Sequence, residues 1–211
     1  MAPKLLVAFV FASITLCAQS KEEVALNNLA VSLMDKGDYK KALAHLDKLT
    51  AADENNFVYR YNRAVTLFNL KKYQEAIDEY KYLHELLPEQ GEYVFQIGNA
   101  YEQLDSMNLA LTYYTQAIEM DQDQFLYYFK RGTIFLKQNQ LQRAEADLTS
   151  SIELNPKHHN SFHNRGITLF KLGQVSKACD DWCQAVVLGN VYSGNYFQQN
   201  CAESPACVTF K

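Results

Sequence analysis

The short motifs that carry most enzyme chemistry are missing from these 211 residues. There is no glycine-rich phosphate loop ending in Lys-Ser/Thr, no Gly-x-Ser-x-Gly elbow and no Cys-x-x-Cys pair. Serine is scattered without triad spacing, so neither a nucleophile nor a redox pair is indicated. Clustered basic residues are absent too: 20 Lys and Arg face 24 Asp and Glu, for a net charge of −4, with no long block of one sign. Nucleic acid, which rewards clustered Lys and Arg, is therefore a poor partner. No Asn-x-Ser/Thr sequon occurs. The N-terminal apolar run, residues 5–18, falls short of the ~20 residues that a membrane-spanning helix needs. The expectation is a protein that is not an enzyme and uses no cofactor or metal.

What is present starts with that run. Lys4 followed by LLVAFVFASITLCA and small residues has the order of a secretory signal peptide, cleaved after Ala18 or Ser20. Residues 1–20 are expected to be removed, leaving no stable membrane span and an exported protein, periplasmic or extracellular. The sequon-free sequence favours a bacterial source. Four cysteines then remain, Cys179, Cys183, Cys201 and Cys207. An even count in an oxidising compartment points to disulfides.

From residue 23 onward the chain repeats. Ala42, Ala76, Ala110, Ala144 and Ala178 recur every 34 residues. They divide the chain into repeats 23–56, 57–90, 91–124, 125–158 and 159–192, within a predicted solenoid of 21–192. Residues 193–211 form a cap and tail, with a short helix expected at 191–200. Each repeat reads as two amphipathic helices about a polar turn, at 35–38, 69–72, 103–106, 137–140 and 171–174. Four residues after each anchor alanine stands a large side chain: Leu46, Tyr80, Tyr114, Leu148 and Trp182. Twelve before it stands a small one: Ala30, Ala64, Gly98, Gly132 and Gly166. This spacing sets small against large where two helices approach closely. Pro88 and Pro156 close their repeats.

In its period, and in residues such as Ile97-Gly98, Tyr101, Ala110 and Tyr114, the sequence resembles the tetratricopeptide repeat family over 170 of its 211 residues. That resemblance implies an all-α, right-handed α-solenoid of five helix-turn-helix repeats. It also implies a scaffold that binds a protein or peptide in the groove lined by the first helices. Fourteen residues before each anchor stand Asn28, Asn62, Gln96, Lys130 and Asn164, similar to the asparagine ladder of some family members. A carboxamide both donates and accepts, so a row of them suits a peptide backbone. One residue earlier stand Asn27, Tyr61, Phe95, Phe129 and His163, and exposed aromatics there favour binding. The competing reading is that these aromatics simply pack between repeats. A structural, self-associating role in a cell-envelope assembly is the alternative function.

Arg63, Arg131 and Arg165 occupy one register, and sixteen residues after each stands an acid: Glu79, Asp147 and Asp181. The repeats without the arginine lack the acid as well, having Leu29 with His45 and Ile97 with Tyr113. Joint gain and loss of charge predicts a partly buried ion pair inside each repeat, since either charge alone would be costly. Cys179 and Cys183, at i and i+4, cannot easily bond each other across a helical turn. Each is expected to reach Cys201 or Cys207, in either pairing. The run ACDDWCQAVVLGN at 178–190 resembles the closing repeat of exported bacterial tetratricopeptide proteins. His159 and His163 are also at i and i+4 but lack a third ligand, and read as ordinary helix histidines.

Overall fold

A computed structural model describes residues 20–201, and everything below concerns those residues. They form eleven α-helices and no strand. In chain order these are α1 (Lys21–Asp35), α2 (Tyr39–Ala52), α3 (Phe57–Asn69), α4 (Tyr73–Leu86), α5 (Gly91–Gln103) and α6 (Met107–Met120). There follow α7 (Phe125–Lys137), α8 (Leu141–Leu154), α9 (His159–Lys171), α10 (Val175–Val187) and α11 (Val191–Asn200). The fold is an all-α helical repeat solenoid with a short closing helix. Residues 1–19 of the expected signal segment, and residues 202–211 with Cys207, lie outside the described residues.

Each hairpin turn is made the same way, which explains the tolerance for polar residues there. One residue takes the left-handed conformation: Gly37 (φ 76°), Lys71 (62°), Asp105 (56°), Asn139 (59°) and Gly173 (78°), again 34 apart. The amide after it reaches back to close the preceding helix, as in Lys72 N to Leu67 O at 2.9 Å and Gln140 N to Phe135 O at 2.8 Å. This is the Schellman arrangement, which satisfies carbonyls that a helix end leaves unpaired. Glycine adopts that conformation freely, whereas Lys71, Asp105 and Asn139 do so against their Cβ.

The chain divides into two compact units, Met1–Glu79 and Tyr80–Lys211. In the first, Ser20 starts α1 with a capping box: its hydroxyl accepts from Glu23 N at 3.1 Å, and its own amide donates to the Glu23 carboxylate at 2.9 Å. Asn56 caps α3 through the amides of Val58 and Tyr59. Ala30, Leu46, Leu49 and Tyr59 form the buried core between α1, α2 and α3. Each fully buried leucine there contributes roughly 1.5–3 kcal/mol relative to exposure.

In the second unit the small-against-large spacing becomes contact. A methyl placed on Gly98 would lie 2.7 Å from the Tyr114 ring, and one on Gly166 would lie 2.5 Å from Trp182 Nε1. At Gly132 it would meet Leu148 Cγ at 3.1 Å. In each hairpin, then, glycine gives the bulky residue of the second helix its space on the first. Tyr114 and Trp182 are wholly buried as a result. The cores continue through Val94, Ile118, Tyr127 and Ile134, then Phe135 with Leu148, and finally Leu169 with Trp182. At the end α11 packs on α10, held by a disulfide between Cys179 and Cys201. Cys183 is disulfide-bonded as well.

Candidate functional site

The faces of the first helices are best built one unit at a time. In the first unit, Asn62 on α3 donates from Nδ2 to Asn27 Oδ1 on α1 at 3.1 Å. The bond fixes the Asn62 amide and leaves its oxygen and second N–H for other use. Asn28, one residue along, is exposed, and Tyr61 is half-buried. Arg63 is taken up by carboxylates: it pairs with Glu79 and reaches Asp47 of the preceding repeat at 2.7 Å. Glu79 also receives Arg60, at 3.0 Å.

In the second unit the rungs lie on α5, α7 and α9. Gln96 donates to Glu92 at 2.6 Å and accepts from Asn99 at 3.0 Å. Asn164 Nδ2 donates to Thr133 Oγ1 at 3.0 Å, with that hydroxyl held in turn by the Phe129 carbonyl at 2.7 Å. Asn164 is thus oriented like Asn62, by one N–H bond to the preceding first helix. Phe129 is half-buried, its ring edge-on to His158 at 4.6 Å.

Two aromatic or imidazole rungs are corrected by the structure. Phe95 is core: only 5% exposed, it packs with tilted rings against Tyr127 at 4.5 Å and Tyr114 at 5.5 Å, which close over it. Its register matches that of half-buried Tyr61. His163 does not face an open groove either. Its Nδ1 shares a 2.7 Å hydrogen bond with buried Ser193 on α11, and its ring meets Tyr196 edge-on at 5.2 Å. Burial, with His159 adding to it, pushes the His163 pKa below the ordinary imidazole value.

Lys130 belongs to a cluster that no single register discloses. Its ammonium donates to Glu102 at 3.0 Å, Lys137 donates to the same carboxylate at 3.1 Å, and the Tyr114 hydroxyl lies 2.9 Å from it. Burial pushes the Glu102 carboxyl up, but the two lysines and the tyrosine outweigh it and hold it below its ordinary value. The same surroundings push the Tyr114 hydroxyl up, burial first and Glu102 second.

Arg131 grips Asp147 through two parallel bonds of 2.8 Å, and Arg165 grips Asp181 through bonds of 2.7 and 2.8 Å. Their third nitrogen reaches backward: Arg131 Nη1 to Thr115 and Arg165 Nη1 to Thr149, each 3.2 Å. Asp47, Thr115 and Thr149 stand sixteen residues before their arginines, a register in which charge is not maintained. The Asp147 hydrogen bonds lead in raising the Arg131 pKa, as those of Asp181 do for Arg165. Burial pushes the Asp181 carboxyl up against the pull of Arg165, so desolvation is the larger effect there.

Among the described residues, no group of three or more His, Cys, Asp or Glu side chains gathers as a metal site, and no helix is long and apolar enough to cross a membrane.

Comparison with known proteins agrees with this repeat geometry. Residues 91–124 and 129–191 match models described as tetratricopeptide repeat, and residues 7–82 match one described as anaphase-promoting complex, cyclosome, subunit 3. Anaphase-promoting complex subunit 3 of Schizosaccharomyces pombe (strain 972 / ATCC 24843) is 32% identical over 80 residues, 38% of this chain but 12% of that protein. Among solved structures, MamA 41-end from Desulfovibrio magneticus RS-1 superposes with a TM-score of 0.71 at 17% identity, covering 81% of this chain and 97% of that one. YrrB, described as a TPR protein with an unusual peptide-binding site, gives 0.65 at 22% identity, covering 91% and 98%. TTC0263, a thermophilic TPR protein of Thermus thermophilus, gives 0.64 at 17% identity, covering 84% and 98%. At such identities the likeness is one of fold.

Proposed function

We propose that this tetratricopeptide-repeat protein is a non-catalytic scaffold that holds an extended peptide segment on the face of its first helices. The observation that carries this reading is the set-up of Asn62 and Asn164. Each amide is oriented by one bond to the preceding first helix and keeps an oxygen and an N–H unused. A donor and acceptor fixed in advance lose little freedom on meeting a peptide backbone, which is where preorganisation raises affinity. On α7, Phe129 and Leu126, the latter 40% exposed, supply apolar surface in the unit that holds Asn164. Phe95 has no part in this contact.

The test is direct. A peptide is selected from a random display library against the full chain, and its affinity is measured by fluorescence anisotropy. Asn62→Ala with Asn164→Ala is expected to weaken binding about tenfold, a loss of ~1.4 kcal/mol, with helicity unchanged. Unchanged affinity in the double variant would show that the peptide sits elsewhere.

The same reading places the protein in an oxidising, exported location. It is supported by Lys4 with the apolar run 5–18, and by the Cys179–Cys201 disulfide. Cleavage after Ala18, rather than after Ser20, would keep the capping box of α1. The intact mass of protein isolated from its native cell decides both points; a full-length chain with free thiols would refute them. A second reading, self-association, is favoured by Val187, Val191 and Tyr192, which are 58%, 79% and 72% exposed beside one another at the closing end. Sedimentation that shows a monomer at every concentration would dismiss it.

A further inference from the structure

The closing helix α11 carries no Asp, Glu, Lys or Arg. Among the described residues, its polar attachments to α9 run through His159, Asn160 and His163. Asn190, the N-cap of α11, uses its oxygen to accept the Ser193 amide at 3.0 Å, which turns its NH2 group toward α9. That group donates to Asn160 Oδ1 at 3.0 Å and lies 3.3 Å from His159 Nδ1. Because the amide can only donate there, His159 Nδ1 must be the unprotonated, accepting nitrogen. One turn on, His163 Nδ1 bonds Ser193, which is itself wholly buried, and its ring supports Tyr196. Tyr196 in turn packs 5.3 Å from Trp182, the central side chain of the last repeat.

We propose that α11 is a pH-released cap, latched to α9 by a neutral His163. A charge on His163 would be buried between Ser193 and Tyr196, the two side chains through which α11 meets it.

Among the described residues, no carboxylate acts on His163. Just before α9, His158 is packed on Phe125 and Phe129; on α9, Arg165 is paired with Asp181, and Lys171 is a further cation. On α7, Lys130 is held by Glu102 and Arg131 by Asp147. The Glu145 and Glu153 carboxylates of α8 act on Arg165, and Asp180 of α10 acts on Asp181. The charged neighbour that acts on His163 is His159.

The sign follows from the direction in which the His163 pKa is shifted. A base whose folded pKa is depressed favours the folded contact while it is neutral. The stabilisation is complete above the ordinary imidazole value of about 6.5 and is lost as pH falls through the lower, folded value. The cap should therefore be closed at neutral pH and should open on mild acidification. The Cys179–Cys201 disulfide would keep its far end tethered.

Trp182, the single tryptophan, is a built-in reporter. The full chain, with disulfides intact, is titrated from about pH 7.5 to about pH 5 while Trp emission and amide exchange are followed. The expected result is a red-shifted emission and a loss of protection of about tenfold or more at 191–200, corrected for intrinsic exchange, with α5 to α8 unaffected. The same titration of His163→Gln should be flat. A flat wild-type titration, an unchanged transition in the variant, or protection lost evenly along the chain would each overturn the proposal. The exchange pattern of the wild type decides the matter even if the variant does not fold.

Discussion

Removing the carboxylate of Asp181 isolates the energetics of the arginine ties. Asp181 is 5% exposed and holds two of the hydrogen bonds of Arg165, whose side chain is itself only 21% exposed. Asp181→Ala leaves that guanidinium in place with Thr149 as its remaining partner. A partly buried cation stripped of its counter-charge costs about 3 kcal/mol, well above the 0–1 kcal/mol of a surface pair. The third repeat supplies the second arm, because it does without the pair, having Ile97 and Tyr113 in these positions. Arg165→Ile combined with Asp181→Tyr copies that solution and should fall within about 1 kcal/mol of the wild type. Burial already pushes the Asp181 carboxyl up despite Arg165, so the intact pair gives little beyond its own desolvation. Urea unfolding at constant m-value measures all three proteins. A loss under about 1 kcal/mol for the single variant would refute the burial argument. A double variant as damaged as the single one would show that packing, rather than unpaired charge, sets the cost.

Two further substitutions address the backbone and the core. Gly166→Ala would bring a methyl to 2.5 Å from Trp182 Nε1; despite a gain in helix propensity, it should destabilise by about 2 kcal/mol net, and an unchanged melting temperature would refute the close approach. Lys71→Gly relieves a left-handed lysine and should stabilise by about 0.5–1 kcal/mol in chemical denaturation; a loss of stability would mean that the lysine side chain matters more than its φ of 62°.

Periodicity made the architecture readable because the packing itself repeats. Ala42 through Ala178 fill one kind of gap in each hairpin, and a gap of fixed size admits few residues. Charge was legible for a similar reason: Arg131 and Asp147 rise or fall together across repeats. Three things escaped. Thr115 and Thr149 are neutral, so no pattern of charge marked them as acceptors for the arginines. Glu102 meets Lys130 and Lys137 across 28 and 35 residues, offsets that no repeat-to-repeat comparison isolates. Phe95 was misplaced because a register fixes the direction of a side chain and not what covers it. Tyr114 and Tyr127 cover this one, and His163 is likewise taken up by Ser193 from beyond the last phased repeat.

The backward reach of the arginines affects how the chain comes apart. Arg63, Arg131 and Arg165 each join a repeat to its predecessor, through Asp47, Thr115 and Thr149. In the third repeat the corresponding residues are Ile97 and Lys81, which cannot make that bond. A repeat array behaves as a row of units coupled to nearest neighbours, and its cooperativity is set by the weakest coupling. Within the second unit, Arg131 and Arg165 therefore couple three successive repeats in series, so that strain on one is passed to the next rather than absorbed locally.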